Sequence, residues 1–359
     1  MHKRTIELLK SLSELDGLPG SEQDVRDFIR RQMEGAAEFE TDNLGSLICR
    51  KAGASDRPRI MVPAHMDEIG FAVKDLTPEG YLRLAPLGGW LDQTLLGHRV
   101  TVRTRKGDVP GVIGCTPPHL MPREDRDKVI KLKTMFVDVG AADKKEAAGR
   151  LGIRMGDPVV PSQSFMQMRN GKYLLGKAWD DRVCCGLMIE MMRALQNVEH
   201  ENTVYAVGTV QEEVGTRGAG TSADVVDPDF CIVLDVGLAT DMPGTEGEVK
   251  VSLGKGPVFY MQDAGTIAHR KFLDFVMDLA EKKKIPLQTS LLEGGSTDGR
   301  AIQVHKRGVP CVMLGIPARY IHSHAGIIHT DDFDAALKLM LELVKALTPR
   351  AAEKLRDRI

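Results

Sequence analysis

The chain has no surplus of charge of either sign. Its 359 residues carry 48 Lys and Arg against 50 Asp and Glu, a formal net charge of -2, so no basic face is implied for nucleic acid or an anionic membrane. Long apolar runs are missing as well. The opening stretch, MHKRTIELLKSLSEL, sets polar residues at every third or fourth position, the pattern of an amphipathic helix and not of a signal peptide. No segment is long enough to cross a bilayer. Cysteine is sparse: Cys49, Cys115, Cys184, Cys185, Cys231 and Cys311 show no C-x-x-C spacing, and four of them lie in apolar runs where a thiol behaves as a small hydrophobe. They read as reduced core residues of a cytoplasmic protein, in preference to a metal or redox pair at Cys184 and Cys185. Internal repeats, low-complexity tracts and long linkers are absent too. These absences exclude nucleic-acid and membrane partners and leave small-molecule or peptide chemistry.

The length exceeds that of one ordinary compact domain, which implies a large core plus a further domain or insertion. Residues 1–69 give helices near 2–12 and 21–34 and then the strand RIMVPAH. From about residue 164 onward helices alternate with the apolar strands TVYAVGTVQ, FCIVLDV, VKVSLG, PLQTSL and PCVMLGIP. That alternation predicts an α/β fold with helices on both faces of a sheet. Between them, over 70–163, the pattern changes to short β-rich pieces punctuated by Gly, Pro and Asp, with one helix expected in DKKEAAGRLGI. This stretch predicts a small β-barrel inserted into the first domain, which then comprises 1–69 and 164–359.

Acidic and histidine residues collect at the carboxyl ends of the predicted strands. His65 and Asp67 in PAHMDEIG are two apart on extended chain and share a face, the spacing of a metal ligand and the carboxylate that orients it. Glu212 and Glu213 end the next strand and Asp235 the one after. Asp180 and Asp181 open a helix, where acids are also favoured by capping and by the helix dipole. Each feature taken singly is an ordinary solvated strand end or helix cap. Together they occupy the edge where open α/β sheets build ligand sites. One more histidine is needed, and His322, His324 and His329 in IPARYIHSHAGIIHTDDF all compete for the role.

Carboxylates and imidazoles without cysteine suit zinc, cobalt or manganese, and one carboxylate can bridge a pair of such ions. Two divalent cations bring four positive charges, which Asp180, Glu213, Asp235 and one hydroxide would balance. Glu212 is then left over for acid-base work. The glycines of GGSTDGR and the cluster Met188, Met191 and Met192 read as a loop and as helix packing.

The segments AHMDEIGF, GVIGCTPPHL, MFVDVGA, GDPV, WDDRVCCG, VQEEVGTRGA, LDVG, GKGP, GGSTDG and IPARYIHS resemble, in this order, the tetrahedral-assembly metallo-aminopeptidases, a family once widely labelled endoglucanase. The likeness covers nearly the whole chain. It implies a zinc-exopeptidase α/β sandwich and two divalent ions, Zn²⁺ or Co²⁺. One site would be completed by His65 and Asp235 and the other by Glu213 and His322, with Asp180 bridging, Glu212 as general base and Asp67 as the partner of His65. It further implies peptide substrates and a homo-oligomer, with the inserted domain building dimers that assemble into a hollow dodecamer. The sequence departs from the usual pattern in carrying His324 and His329 and in placing Trp179 before the bridging aspartate, where it is expected to reshape a pocket wall.

Two other function classes remain to be weighed. A glycoside hydrolase would need two carboxyl groups flanking a sugar bond at about 5 to 9.5 Å and no metal. A catalytically silent assembly would be expected to show a replaced ligand or base, and every matched position here holds a competent side chain. His119 lies in the insertion with no role assigned.

Overall fold

In the computed structural model, which describes residues 1–356, four parallel strands form the centre of the molecule. They lie in the order Thr203–Thr209, Arg59–His65, Phe230–Leu238 and Cys311–Arg319. The Thr203–Thr209 strand is buried along its whole length, as expected of a parallel strand covered on both faces. Antiparallel strands extend the sheet outward, Leu47–Lys51 and Glu38–Thr41 on one side and Gly326–His329, Tyr173–Gly176 and Met166–Gln167 on the other.

Alternation along the central strands sends Ile60, Val62 and Ala64 to one face and Met61 to the other, and each face has its own apolar cluster. The first cluster takes in helices Lys3–Glu14, Trp179–Ala194, Arg270–Lys282 and Thr330–Ala346, and the second takes in Arg217–Val226. Helix Trp179–Ala194 is buried nearly all round, including the Met188, Met191 and Met192 cluster. It lies between the sheet and helix Lys3–Glu14, where a helix without a polar face is stable.

Six antiparallel strands form a closed barrel in the order Gly70–Leu76, Leu82–Leu87, Phe136–Asp138, Gly107–Gly114, Arg99–Thr104 and Pro158–Pro161. Its interior is filled by Phe71, Val73, Leu82, Val102, Val137 and Val159, so it is a packed core and not a channel. The expected helix forms over Lys144–Gly149, with Asp143 accepting from the Glu146 amide at its start. The barrel is spliced in directly after the sequence MDEI that follows the His65 strand.

Four local expectations differ from the structure, the first being that Glu212 and Glu213 end their strand, which stops at Thr209. VKVSLG is not a strand, because its amides bond to side chains instead of a neighbouring strand: Val251 to Thr240 Oγ1, Ser252 to Gln288 Oε1 and Leu253 to Asp241 Oδ2. Asp235 does not end its strand, which continues to Leu238. Asp180 and Asp181 stand within the span of their helix but outside helical backbone angles, at φ/ψ of -79/100° and -120/35°. All six cysteines are free, and Cys115 alone among them is not buried. No helix among the described residues is long and apolar enough to cross a membrane.

Arg182 locks these layers together behind the strand ends. It is fully buried and donates to the carbonyls of Met66, Leu12 and Leu15 at 2.8 to 2.9 Å and of Gly17 at 3.3 Å, with Glu68 3.6 Å away. A buried guanidinium is tolerable because every oxygen near it is an acceptor. Replacing Arg182 with Met takes the guanidinium donor from the Met66 and Leu12 carbonyls and a cation from beside Glu68, which keeps Lys177, and is expected to destabilise the chain by about 3 to 5 kcal/mol. The check is the denaturant midpoint at constant m-value, which an unimportant Arg182 would leave where it is.

Candidate metal centre

The parallel register brings the candidate ligands to one edge of the sheet. His65 is the last residue of its strand and pairs across to Thr209, three residues before Glu212, while Asp235 lies on the strand bordering the other side. Asp180 enters from the start of the buried helix, and its non-helical backbone lets the carboxylate reach between two imidazoles. Its Oδ1 is 2.9 Å from His65 Nε2 and its Oδ2 is 3.4 Å from His322 Nε2. Glu213 Oε2 stands 3.5 Å from the same His322 nitrogen. Two groups of donors result, His65–Asp180–Asp235 and Asp180–Glu213–His322, each with its ligand atoms within 4.8 Å of one another. Asp180 belongs to both.

Glu212 belongs to neither, although it is the neighbour of Glu213. The backbone separates the two. Gln211 adopts φ 57°, in the left-handed region that costs a non-glycine residue about 1 to 3 kcal/mol and persists only where its surroundings hold it. Two buried carboxylates do so. Glu22 Oε1 accepts from the Gln211 amide at 3.0 Å and from the Gly20 amide at 2.8 Å, and Asp67 accepts from the Glu212 amide on Oδ1 and the Glu213 amide on Oδ2, both at 3.0 Å. Three successive amides are thereby fixed, and the side chains that follow take separate positions. Glu212 is nine-tenths buried, and its carboxylate accepts no hydrogen bond from the described residues.

Asp67 therefore contributes differently from the expectation of an imidazole–carboxylate pair. The nearest partner of His65 Nδ1 is the main-chain carbonyl of Asp67 at 3.0 Å, and its carboxylate is 3.6 Å away because it is engaged by the two amides. The second imidazole is oriented in the same way, His322 Nδ1 donating to the Gly89 carbonyl at 2.8 Å, which leaves Nε2 for the site.

Crowded carboxylates in a buried edge resist ionisation together. Burial and then the neighbouring Asp180 push Glu213 up to about 8. Burial, again reinforced by Asp180, raises Asp235 well above the usual range, and burial raises Glu212 likewise against the opposing pull of His65. Burial would lower the imidazoles, but the carboxylates around them together outweigh it, Asp180, Asp67 and Glu212 for His65 and Asp180 and Glu213 for His322, so His65 stands well above its ordinary value and His322 reaches about 9. Asp180, despite its burial, is held well below the carboxylate range by its two histidine partners. The whole cluster is a demand for positive charge. Its donor set of imidazole and carboxylate, in two triads that share one oxygen-bearing residue, fits a pair of divalent cations.

The competing histidines are placed elsewhere. His329 Nδ1 accepts from the Asp331 amide and caps helix Thr330–Ala346, His324 is buried against aromatic rings, and His119 is exposed in the insertion. Trp179 is absent from the wall of the large cavity but lines a smaller pocket at the site with Asp180, Glu213 and His322. Its indole is buried, donating to the Gly326 carbonyl at 3.2 Å. Cys184 and Cys185 back the site from the core, each thiol donating to the main-chain carbonyl of a candidate ligand, Asp235 and His65. Two carboxylates beside the site were not anticipated. Glu22 reads in sequence as an ordinary acid at a helix start. Asp298, in the GGSTDG loop, accepts from the Thr209 hydroxyl beneath the site and is raised by burial to about 6. A cavity of about 1200 Å³ opens from Glu212, Glu213 and His322 and runs out past Tyr260, Leu292 and Glu293, large enough for the end of a peptide.

Residues 45–339 match the family described as M42 glutamyl aminopeptidase. The lysyl aminopeptidase of Pyrococcus furiosus is 36% identical over 96% of this chain and 97% of its own. Among solved structures, a TET aminopeptidase from the marine sediment archaeon Thaumarchaeota archaeon SCGC AB-539-E09 superposes with a TM-score of 0.96 at 42% identity, covering 99% of this chain and all of that one. The TET1 peptidase of Pyrococcus horikoshii, described as assembling into a tetrahedron or a large octahedral shell, has a TM-score of 0.86 at 35% identity over 96% of this chain and all of its own.

The double carboxylate latch makes a prediction that is independent of activity. A hydrogen bond to a charged group contributes about 1.5 to 3 kcal/mol, so Glu22→Ala is expected to speed amide exchange at Gln211 and its neighbours by about 10- to 100-fold. Glu22→Gln keeps an acceptor oxygen and should exchange much more slowly than the alanine variant. Equal protection in all three proteins would mean that Glu22 does not hold the turn.

Proposed function

The chain belongs to the M42 glutamyl aminopeptidase family and is a metallo-aminopeptidase, and on that premise we propose that it removes N-terminal residues from peptides with a pair of divalent metal ions. The observation that carries this reading is the pair of three-residue donor groups sharing Asp180. His65 and Asp235 would hold one ion, Glu213 and His322 the other, and Asp180 both. Zinc and cobalt fit this donor set. When bound, the cations supply Lewis acidity toward the scissile carbonyl and toward the attacking water.

The remaining chemistry falls to side chains of this chain. Glu212 lies beside the candidate ligands without being one of them, where its carboxylate can accept a proton from the attacking water and pass it to the leaving amine. Asp67 positions Glu212 and Glu213 through their amides, and its carbonyl orients His65. The large cavity beyond His322 would receive the substrate.

We further propose that residues 1–69 and 164–359 form the catalytic domain and that 70–163 is the oligomerisation domain, building dimers that assemble into a dodecamer. The closed barrel supports this reading, since its sequence supplies no ligand to the site, as does the likeness to a peptidase that forms closed shells. Replacing 70–163 with a short linker is expected to reduce the mass seen by light scattering. A particle that keeps its subunit number would overturn the assignment.

The mechanism separates two adjacent glutamates. Chelation should abolish peptidase activity and zinc or cobalt should restore it, whereas hydrolysis that persists in metal-free protein would favour the glycosidase type of chemistry and sink the metal mechanism. Glu212→Gln preserves size but cannot accept the proton, so kcat is expected to fall by about 10²- to 10⁴-fold with both ions retained. Glu213→Gln removes an anionic ligand and should lose activity through loss of one ion, partly recovered at high metal concentration. Metal content and kcat on the same preparations decide it: metal lost from Glu212→Gln and kept in Glu213→Gln would reverse the roles.

A further inference from the structure

The barrel contributes no metal ligand, yet it reaches the site at one point. The segment Gly88–Gly89–Trp90 follows the barrel strand Leu82–Leu87 and lies against Glu213 and His322, two residues of one donor group. A Cβ added to Gly88, which has φ +80°, would stand 3.2 Å from Glu213 Oε2, and one added to Gly89 would stand 3.1 Å from His322 Nδ1. The Gly89 carbonyl is also the acceptor that orients the His322 ring. His322 needs that support. It sits on a loop with φ of 55°, close to Tyr320 with φ of 59°, and its side chain is 39% exposed, so its own domain encloses it loosely.

A second contact joins the same loop to the barrel. His324, two residues after His322, is 1% exposed and stacks on His98 with ring centroids 3.9 Å apart and planes inclined by 17°. Trp90 lies on it at 5.3 Å, and Trp90 is in turn stacked on Phe71 of the barrel core at 4.9 Å and bonded through Nε1 to the Gly70 carbonyl. Phe71, Trp90 and His98 all belong to the insertion, and His324 alone comes from the other side. Neither nitrogen of His324 has a hydrogen-bond partner among the described residues. The residue therefore acts through its flat ring and not through its polar atoms.

We infer that the inserted barrel sets the affinity of one of the two metal sites, that of Asp180, Glu213 and His322, by gripping the His322 loop through the Gly89 carbonyl and the Trp90–His324–His98 stack. His324 and Gly89 are positioning residues in this scheme, and the inference rests on the dinuclear reading above. The group His65–Asp180–Asp235 shares Asp180 with the gripped site, but among the described residues its His65 and Asp235 take no hydrogen bond from the insertion, so its affinity depends on the grip much less. An assembly domain that also fixes a ligand ties the loading of one ion to the integrity of the barrel.

The test is calorimetric titration of the full-length, metal-stripped chain with Zn²⁺, and with Co²⁺ followed by its visible absorption, in the wild type and three variants. Loss of a residue that supports a metal ligand typically weakens binding by about 10- to 100-fold. His324→Ala and Gly89→Ala are expected to weaken one of the two binding events to that extent and the other, which shares only Asp180 with it, much less, whereas His324→Phe, which keeps a ring in the stack, should bind both ions within about threefold of wild type. Two ions bound with wild-type affinities by folded His324→Ala and Gly89→Ala would overturn the inference, as would a His324→Phe variant as defective as His324→Ala. Should one alanine variant not fold, the other still decides the outcome. A wild-type chain that binds no divalent ion would instead strike down the dinuclear reading, which separates the two failures.

Discussion

Buried negative charge at the edge of the parallel sheet is the constraint on which the rest of this structure depends. Asp180, Glu212, Glu213 and Asp235 converge where water is largely excluded, and carboxylates so placed raise one another's pKa values unless cations compensate. A chain gains nothing in stability from such an arrangement. It persists because the surrounding fold over-determines each position: parallel strands set His65 and Asp235, a fully buried helix sets Asp180, and Arg182 ties that helix to the N-terminal segment and to Met66. Stability invested in the sheet and in the helical layers is what allows a destabilising cluster to be held in one geometry.

Backbone amides do the finer positioning. Adjacent residues on an extended chain point to opposite faces, so a plain strand end could not offer both Glu212 and Glu213 to one site in distinct roles. The left-handed residue Gln211 breaks the alternation, and the carboxylates of Glu22 and Asp67 hold the resulting turn by its amides. Main-chain carbonyls serve the imidazoles in the same manner, Asp67 for His65 and Gly89 for His322. Each histidine is thus turned by an uncharged acceptor, which keeps the carboxylates available for cations or for the turn.

Division of labour between the two folded units is less complete than their topologies imply. The barrel closes on itself and has its own apolar core, yet its Gly88–Gly89–Trp90 segment meets the partly exposed loop that carries the candidate ligand His322. Glycine is required at Gly88 by its positive φ and at Gly89 by the approach of the His322 ring. His324 completes the joint from the other side as an aromatic plate. The peculiarities of the IHSHAGIIH stretch are thereby resolved into three unrelated jobs, for an imidazole at the site, an imidazole in a stack and an imidazole at a helix cap.

The sequence by itself determined the alternation of helix and strand, the insertion of a β-rich unit and the gathering of acids and histidines at strand ends, because hydrophobic period and turn residues are local properties and parallel strands send their carboxyl ends to one edge. It misread VKVSLG as a strand, since the side chains that take its amides lie on other segments. It left three histidines in competition, and it disclosed neither the Glu22 latch nor the contact of Gly89 with His322. Only tertiary structure decided these. The Glu22 latch and the Gly89 contact join residues 189 and 233 positions apart in the chain, and no pattern along the sequence records which of several chemically equivalent side chains folding will bring within hydrogen-bonding distance.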